Sequence, residues 1–191
     1  MTNPILDIIH QRRSIGKLSL PMPNQDELNT VLHAAMVAPD HKQLKPWQFW
    51  VLTDESLVEF GKVLLKAAEA EAESRGEALD EATIKKTLTM PLRAPMIIVI
   101  ATKQKYHEKV PPYEQLLSAG AAAQNILLAL ESLGYNSVWR TGPLCNTDVV
   151  KAHFGVGVDD TICGLIYTGS STVQMPSREA VDISDYVSYH N

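Results

Sequence analysis

Met96-Ile97-Ile98-Val99-Ile100-Ala101 is six apolar residues in a row, with Pro91 and Pro95 before it and the polar stretch Lys103 to Pro112 after it. Four of the six are β-branched and the run is only strand length, so it reads as a strand buried on both faces, at the centre of a sheet. The segments around it then sort by period. Tyr113 to Leu133 is apolar almost all round and predicts a long helix buried in a core or against a partner subunit, stopped by Gly134. Its small residues, Ser118 to Ala123, would let another backbone or a flat ligand come close. Tyr135 to Thr141 and Thr161 to Thr168 read as further strands, with a short helix between them that Thr147 caps and that runs to Phe154.

Toward the N-terminus, Asn3 and Pro4 open a helix whose end carries Arg12-Arg13-Ser14, with Gly16 stopping it. A second helix starts near Asn24 to Glu27, buries Leu28, Val31, Leu32, Ala35 and Met36, and ends at Pro39. Trp47 to Leu52 is an aromatic strand. Asp54-Glu55-Ser56 opens a third helix, Leu57 to about Arg75, whose later part, Ala67 to Ser74, has almost no apolar face and reads as a solvated projection. Ala78 to Leu88 is a fourth helix candidate. Strands and helices alternate around a few-stranded sheet, so the residues alone leave α+β and α/β both open. The tail from Pro176 ends in Tyr186, Val187 and Tyr189, a composition expected to pack on something.

Bulk properties narrow the function. The chain has 191 residues, 45% of them apolar and 20% charged, with a net charge of -5. That length suits one domain over 1–191, burying roughly 70% of its unfolded surface. The charge balance and the lack of a long basic run argue against nucleic acid. No apolar run reaches the roughly 20 residues of a membrane span, and the polar N-terminus is not a signal peptide. The expectation is a cytoplasmic protein with no membrane partner. Cys145 and Cys163 form no C-x-x-C pair and read as two small apolar residues. His10, His33, His107, His153 and His190 have no partner spacing, and no metal site is expected. Gly155-Val156-Gly157 precedes a strand and lacks a third glycine, so it is no dinucleotide fingerprint. Walker, H-E-x-x-H and G-x-S-x-G motifs are missing too, which removes the usual signatures of phosphoryl transfer, metal catalysis and hydrolysis.

Three polar segments remain. Arg12-Arg13-Ser14 offers two guanidinium forks and a hydroxyl, which match phosphate oxygens, although a helix C-terminus favours arginines anyway. Ala38 to Val51 holds Asp40, His41, Gln43 and Lys45 on a polar loop between prolines, beside the aromatic surface of Pro46-Trp47. That suits a flat ligand with a rim of heteroatoms, or an ordinary turn. Trp139-Arg140-Thr141-Gly142 leaves a strand into a Gly-Pro turn, as a binding group or an edge-strand end.

In this order, together with Arg93-Ala94-Pro95, Lys109-Val110-Pro111 and Ser118-Ala119-Gly120, these segments resemble the nitroreductase family of flavin enzymes, and within it the compact YdjA-like branch. The resemblance covers nearly the whole chain. It implies an α+β fold with a central, mainly antiparallel sheet flanked by helices, in an intertwined homodimer with FMN at the subunit interface. By position, Arg12, Arg13 and Ser14 would bind the phosphate and ribityl end of FMN. His41 would contact the flavin of the opposite subunit, and Trp139, Arg140 and Thr141 would return to the first subunit's flavin. The tail from about 176 would pack on the partner subunit.

The activity implied is NAD(P)H-dependent reduction of a small organic acceptor such as a nitroaromatic or quinone. Coenzyme and acceptor would share one slot, hence ping-pong kinetics. No catalytic acid, base or nucleophile is nominated, because the chemistry would be the cofactor's. The alternative is a non-catalytic flavin-binding or flavin-chaperoning protein of the same fold. Two departures from larger members touch the flavin's polar rim. Gly16 stands where they usually carry a basic residue, leaving Arg140 or Lys17 to supply a charge there. Asp40-His41-Lys42-Gln43-Leu44-Lys45 replaces their Ser-Ser-x-Asn-x-Gln loop.

Overall fold

The computed structural model describes residues 3–176 and 178–190. Four strands, β1 (Trp47–Thr53), β2 (Met96–Thr102), β3 (Asn136–Arg140) and β4 (Ile162–Gly169), form one sheet in the order β1-β2-β4-β3. Every neighbouring pair is antiparallel. That arrangement decides for α+β. All seven residues of β2 are buried, so the apolar run at 96–101 is the sheet's interior strand.

Alternation along β2 feeds two cores. Met96, Ile98 and Ile100 face α2 (Gln25–Met36) and α5 (Pro112–Ser132), packing with Val31, Ala35, Ala122, Ala123, Ile126 and Leu130. Ile97, Val99 and Ala101 face α3 (Asp54–Ser74) and α6 (Asp148–Phe154), meeting Leu57, Phe60, Leu64, Val150 and Phe154. Each of the larger side chains among these, fully buried, contributes about 1.5–3 kcal/mol, enough for the sheet to hold both helical layers.

Local chemistry sets the ends. Asn3 Oδ1 accepts from the amides of Ile5 and Leu6 to start α1 (Pro4–Gln11). Asn24 and Glu27 form a reciprocal capping box on α2. Asp80 caps α4 (Glu81–Thr89), which starts later than the expected Ala78 because Asp80 supplies the first acceptor for its orphan amides.

Two readings are corrected. The later part of α3 is no solvated projection: Ala67, Ala68 and Ala72 are buried, and α4 packs on this helix. Their methyl groups continue the stripe of Leu57, Phe60 and Leu64 at helical spacing. Small residues on that stripe let a second helix approach, so a weak apolar face sufficed. Helix α1 also stops before Arg12-Arg13-Ser14; Arg12 is already extended (φ -50°, ψ 128°). No helix among the described residues is long and apolar enough to cross a membrane.

Candidate functional site

After α1 the chain runs as an extended edge beside β3. Ser14 bridges Ser137 in parallel, the amide of Ile15 donates to the Ser137 carbonyl at 3.0 Å, and buried Ile15 pins the segment. This edge, residues 12–16, runs from one hollow, lined by Arg13 and Ile15, toward Arg140 in the wall of another.

The first hollow, about 890 Å³, lies between the end of α1 and the C-terminal segment and is lined in part by Arg13, Ile15, Glu131, Met175 and Arg178. Two arginines clasp across it. Arg13 Nη1 donates to the Pro176 carbonyl at 2.9 Å, and Arg178 Nη2 donates to the Arg12 carbonyl at 2.5 Å. Among the described residues, none of Arg12, Arg13 and Arg178 has a carboxylate at ion-pair distance. Glu131 stands nearby; burial raises its carboxyl pKa and the charge of Arg12 opposes the rise. Arg13 and Arg178 line this hollow without a bonded counter-ion, and Arg12 is near enough to act on Glu131 in its wall, which makes a place for a multivalent anion. Ser14, exposed on the connecting edge, adds a hydroxyl.

The second hollow, about 510 Å³, opens at the end of β3 on the α3 side of the sheet, among Leu64, Met90, Arg93, Arg140, Cys145 and Tyr167. Its polar groups are unsatisfied. Arg140 Nε and Tyr167 Oη are both buried with no hydrogen-bond partner. Such atoms are costly to leave unpaired. The Arg140 guanidinium sits 5.3 Å from the centre of the Tyr167 ring. Burial pushes the Tyr167 phenol up to about 12, against the lowering effect of Arg140 and Arg93, so the hydroxyl stays a donor. Burial likewise raises the Cys145 thiol and pushes Cys163 up to about 11, which makes neither a ready nucleophile.

Gly16 meets the second hollow through Arg140. A Cβ built there would stand 2.7 Å from Arg140 Nη2, closer than real Cβ contacts come. The guanidinium therefore occupies the space a side chain at 16 would need. An arginine across the strand fills the position that the sequence left vacant, while Lys17 is exposed beside it.

Trp139 and Arg140 leave β3 on opposite faces. Trp139 packs into the core on the α2 and α5 side, its Nε1 donating to the Cys163 carbonyl at 3.1 Å. Gly164 (φ +152°) makes room for it, since a Cβ there would lie 2.1 Å from Trp139 Nε1. The indole thus fixes the strand end, while the main chain through Thr141 and Gly142 borders the second hollow.

His41 stands apart. It opens a single 3-10 turn, His41–Gln43, and in and just after this turn Lys42, Gln43 and Lys45 have positive φ (65°, 53° and 49°). Asp40 holds the loop by accepting from the Lys45 amide, and its Oδ1 is buried without a partner. Left-handed backbone at three non-glycine residues costs of order 1 kcal/mol or more each, and such strain clusters at ligand clamps. His41 Nδ1 lies 2.7 Å from Glu114 Oε2 at the start of α5. Arg12 acts on Glu131 at the other end of that helix. Seventeen residues at 1.5 Å rise put these ends about 25 Å apart. Within one chain, His41 does not meet the arginine edge.

The sequence reading missed three residues here: Arg178, Tyr167 and Glu114. Arg178 follows Pro176 in a tail read as a packing segment. Tyr167 sits in an apolar strand run that gave no sign of an unpaired hydroxyl.

A protein-family model described as the nitroreductase family matches residues 9–170. The chain is 36% identical to "Putative NAD(P)H nitroreductase YdjA" of Escherichia coli (strain K12) over 180 residues, 94% of each chain. Among solved structures, a nitroreductase-like family protein from Bacillus cereus superposes with a TM-score of 0.82 at 20% identity, covering 99% of this chain and 97% of that one. A nitroreductase with bound FMN from Bacteroides fragilis NCTC 9343 gives 0.73 at 21% identity, covering 99% and 100%.

Proposed function

The chain belongs to the nitroreductase family, and on that premise we propose that it is an FMN-dependent oxidoreductase that uses NAD(P)H to reduce a small organic acceptor, such as a nitroaromatic or quinone. One observation carries the reading. A gathering of arginines and a cavity with unpaired Arg140 Nε and Tyr167 Oη lie at the two ends of one extended edge. A phosphorylated ribityl chain on a planar, heteroatom-rimmed ring has that same polarity from end to end. The bound-FMN structure of similar fold supports the choice of cofactor.

When bound, FMN would supply the two-electron centre between coenzyme and acceptor. The chain's own part is placement and charge. Arg12, Arg13 and Arg178 neutralise the phosphate, and Ser14 donates to it or to the ribityl hydroxyls. Arg140, held where Gly16 leaves room, favours negative charge on the ring's polar edge, and the Tyr167 hydroxyl donates beside it. Thr141 and Gly142 present main chain at the border of the slot, with Trp139 keeping the strand end rigid.

His41 completes the site from a second copy of the chain. This gives the strained loop a purpose and makes the homodimer a condition for covering the ring. The exposed apolar residues beyond the arginine clasp (Val181, Ile183, Tyr186 and Tyr189) would then lie on the partner. Coenzyme and acceptor taking turns in one slot implies parallel double-reciprocal plots.

The test is an absorption spectrum of the purified protein, before and after anaerobic NADH or NADPH. A yellow protein that bleaches and recovers on adding a nitroarene or quinone supports the reading. A protein that stays colourless after incubation with FMN refutes it. A yellow one that neither coenzyme bleaches is a flavin-binding protein without this activity.

A further inference from the structure

The loop after β2 is built with more care than a solvent-exposed connection needs. Gln115, fully buried at the start of α5, clamps it from within. Its Oε1 accepts from the Lys105 amide at 2.9 Å, and its Nε2 donates to the Lys105 carbonyl at 2.9 Å and to the Val110 carbonyl at 3.4 Å. Asp160 holds the other limb, accepting from the Thr102 hydroxyl and the Gln104 amide, both at 2.8 Å. A tight turn closes the tip, where the Lys109 amide donates to His107 Nδ1 at 3.1 Å. The loop walls a hollow of about 890 Å³ against residues 157–160.

What the clamp presents is a cationic and aromatic surface. Lys103, Lys105 and Lys109 are exposed, and no carboxylate among the described residues is at ion-pair distance from them. Tyr106 is 98% exposed although its backbone is fixed on both sides. Glu108 and Asp159 are the loop's opposing charges, and Asp160 is already committed. In a chain of net charge -5, a local cluster of lysines beside an exposed ring is not a bulk trend. Lysine ammonium groups suit phosphate oxygens, and aromatic faces stack on nucleobases without regard to base identity.

The loop is also tied to the His41 segment. The Lys103 amide donates to the Pro46 carbonyl at 2.9 Å, at the end of the polar loop. Gln115 is the next residue after Glu114, the partner of His41. We infer that residues 103–109 form the docking site for a nucleoside diphosphate, the ADP half of the nicotinamide coenzyme. Lys105 and Lys109 would take the diphosphate and Tyr106 would stack on adenine. The inference rests on the functional reading above, which places the His41 loop at the flavin slot where the nicotinamide would lie. It explains how a chain without a dinucleotide fingerprint could hold a dinucleotide.

The test uses the FMN-loaded protein and ADP-ribose, which cannot reduce anything, in calorimetric titrations at low and near-physiological ionic strength. The wild type should bind, more tightly at low salt. Lys105→Gln with Lys109→Gln should weaken binding by roughly tenfold per charge removed. Tyr106→Ala should weaken it without changing the salt dependence. Unchanged ADP-ribose affinity in both variants, with FMN content and circular dichroism intact, overturns the site.

A second readout is the rate of bleaching by NADH against reduced nicotinamide mononucleotide, which lacks the AMP half. The lysine variants should lose more apparent affinity for NADH than for the mononucleotide, which keeps only one of the two phosphates, and equal losses for both coenzymes would also overturn the site. A protein that binds ADP-ribose through these residues yet is not bleached by NADH keeps the nucleotide site and overturns the functional reading instead.

Discussion

The cavity at the end of β3 makes an unusual demand of Tyr167→Phe: the variant should gain stability and lose cofactor. In the chain alone, Tyr167 is 1% exposed and its hydroxyl has no partner. An unsatisfied buried polar group costs about 1–3 kcal/mol, and phenylalanine keeps the ring while removing that cost. Cofactor-free protein should therefore gain about 1 kcal/mol, or about 2–4 °C in melting temperature for a chain of this size. A second signature lies in pH. Burial pushes the Tyr167 phenol up to about 12, from an ordinary value of 10.0. Below pH 10 neither state ionises and the group adds no slope. Between about 10 and 12 the unfolded chain releases the proton while the folded chain keeps it, so stability falls by up to about 1.4 kcal/mol per pH unit. The variant should lack that component, isolated as the difference between the two stability curves. The assay is urea denaturation of the cofactor-free protein at several pH values, paired with FMN titration by fluorescence. If the hydroxyl meets the ligand, FMN should bind roughly tenfold more weakly to the variant. A variant destabilised by 1 kcal/mol or more would mean that the hydroxyl is bonded in the chain alone. Unchanged FMN affinity would remove Tyr167 from the site.

Three further substitutions address the rest of the site. Gly16→Ala places a methyl group 2.7 Å from Arg140 Nη2, the far end of a flexible side chain. Stability should change by less than about 1 kcal/mol while FMN binding weakens, and equal FMN affinity would show that the guanidinium position is immaterial. Arg178→Gln should reduce affinity for FMN by roughly tenfold or more and leave affinity for riboflavin unchanged, because only the phosphate is lost between the two ligands; parallel losses for both would refute the phosphate role. His41→Ala breaks an exposed pair with Glu114 worth under about 1 kcal/mol, so its melting temperature should barely move. FMN retention through gel filtration should nonetheless fall, and full retention would put His41 outside the site.

The fold was legible where burial is written as composition. The run at 96–101 left few options because it must lie inside; the apolar helix at 113–133 buries one side, while Leu116, Leu117 and Leu133 stay exposed in the lone chain. Residues 67–72 were misread because alanine is a weak hydrophobe by itself, yet its small size lets α4 pack on α3. The site was legible where charge clusters locally, as in Arg12-Arg13. It was hidden where its parts meet only in three dimensions. Arg178 lies 166 positions beyond the carbonyl it binds. Gly16 and Arg140 are informative only as a pair, since one is the absence of a side chain and the other fills the gap. No local pattern exposes that Tyr167 lacks a hydrogen-bond partner.

The distance along α5 supports the proposal that the site is built from two copies of the chain. The arginine edge and the His41 loop are held to opposite ends of one long helix, about 25 Å apart. A helix of 21 residues cannot bring its ends together without breaking its own hydrogen-bond ladder. In the proposed dimer a second chain, reversed relative to the first, would set its His41 loop beside the first chain's arginines. The same reversal would act twice, since a two-fold axis that builds one site builds the other. The strained backbone at Lys42, Gln43 and Lys45 and the orphaned Asp40 Oδ1 then become parts awaiting a partner surface. Their cost in the lone chain would be offset only when two chains meet. Loosening the loop with Asp40→Ala, which removes the hydrogen bond to the Lys45 amide, should therefore weaken self-association and FMN retention together. Analytical ultracentrifugation and FMN titration measure the two separately. A variant that dimerises normally but drops its flavin would confine the loop's role to the ligand, and one that does neither less well would return the loop to an ordinary turn.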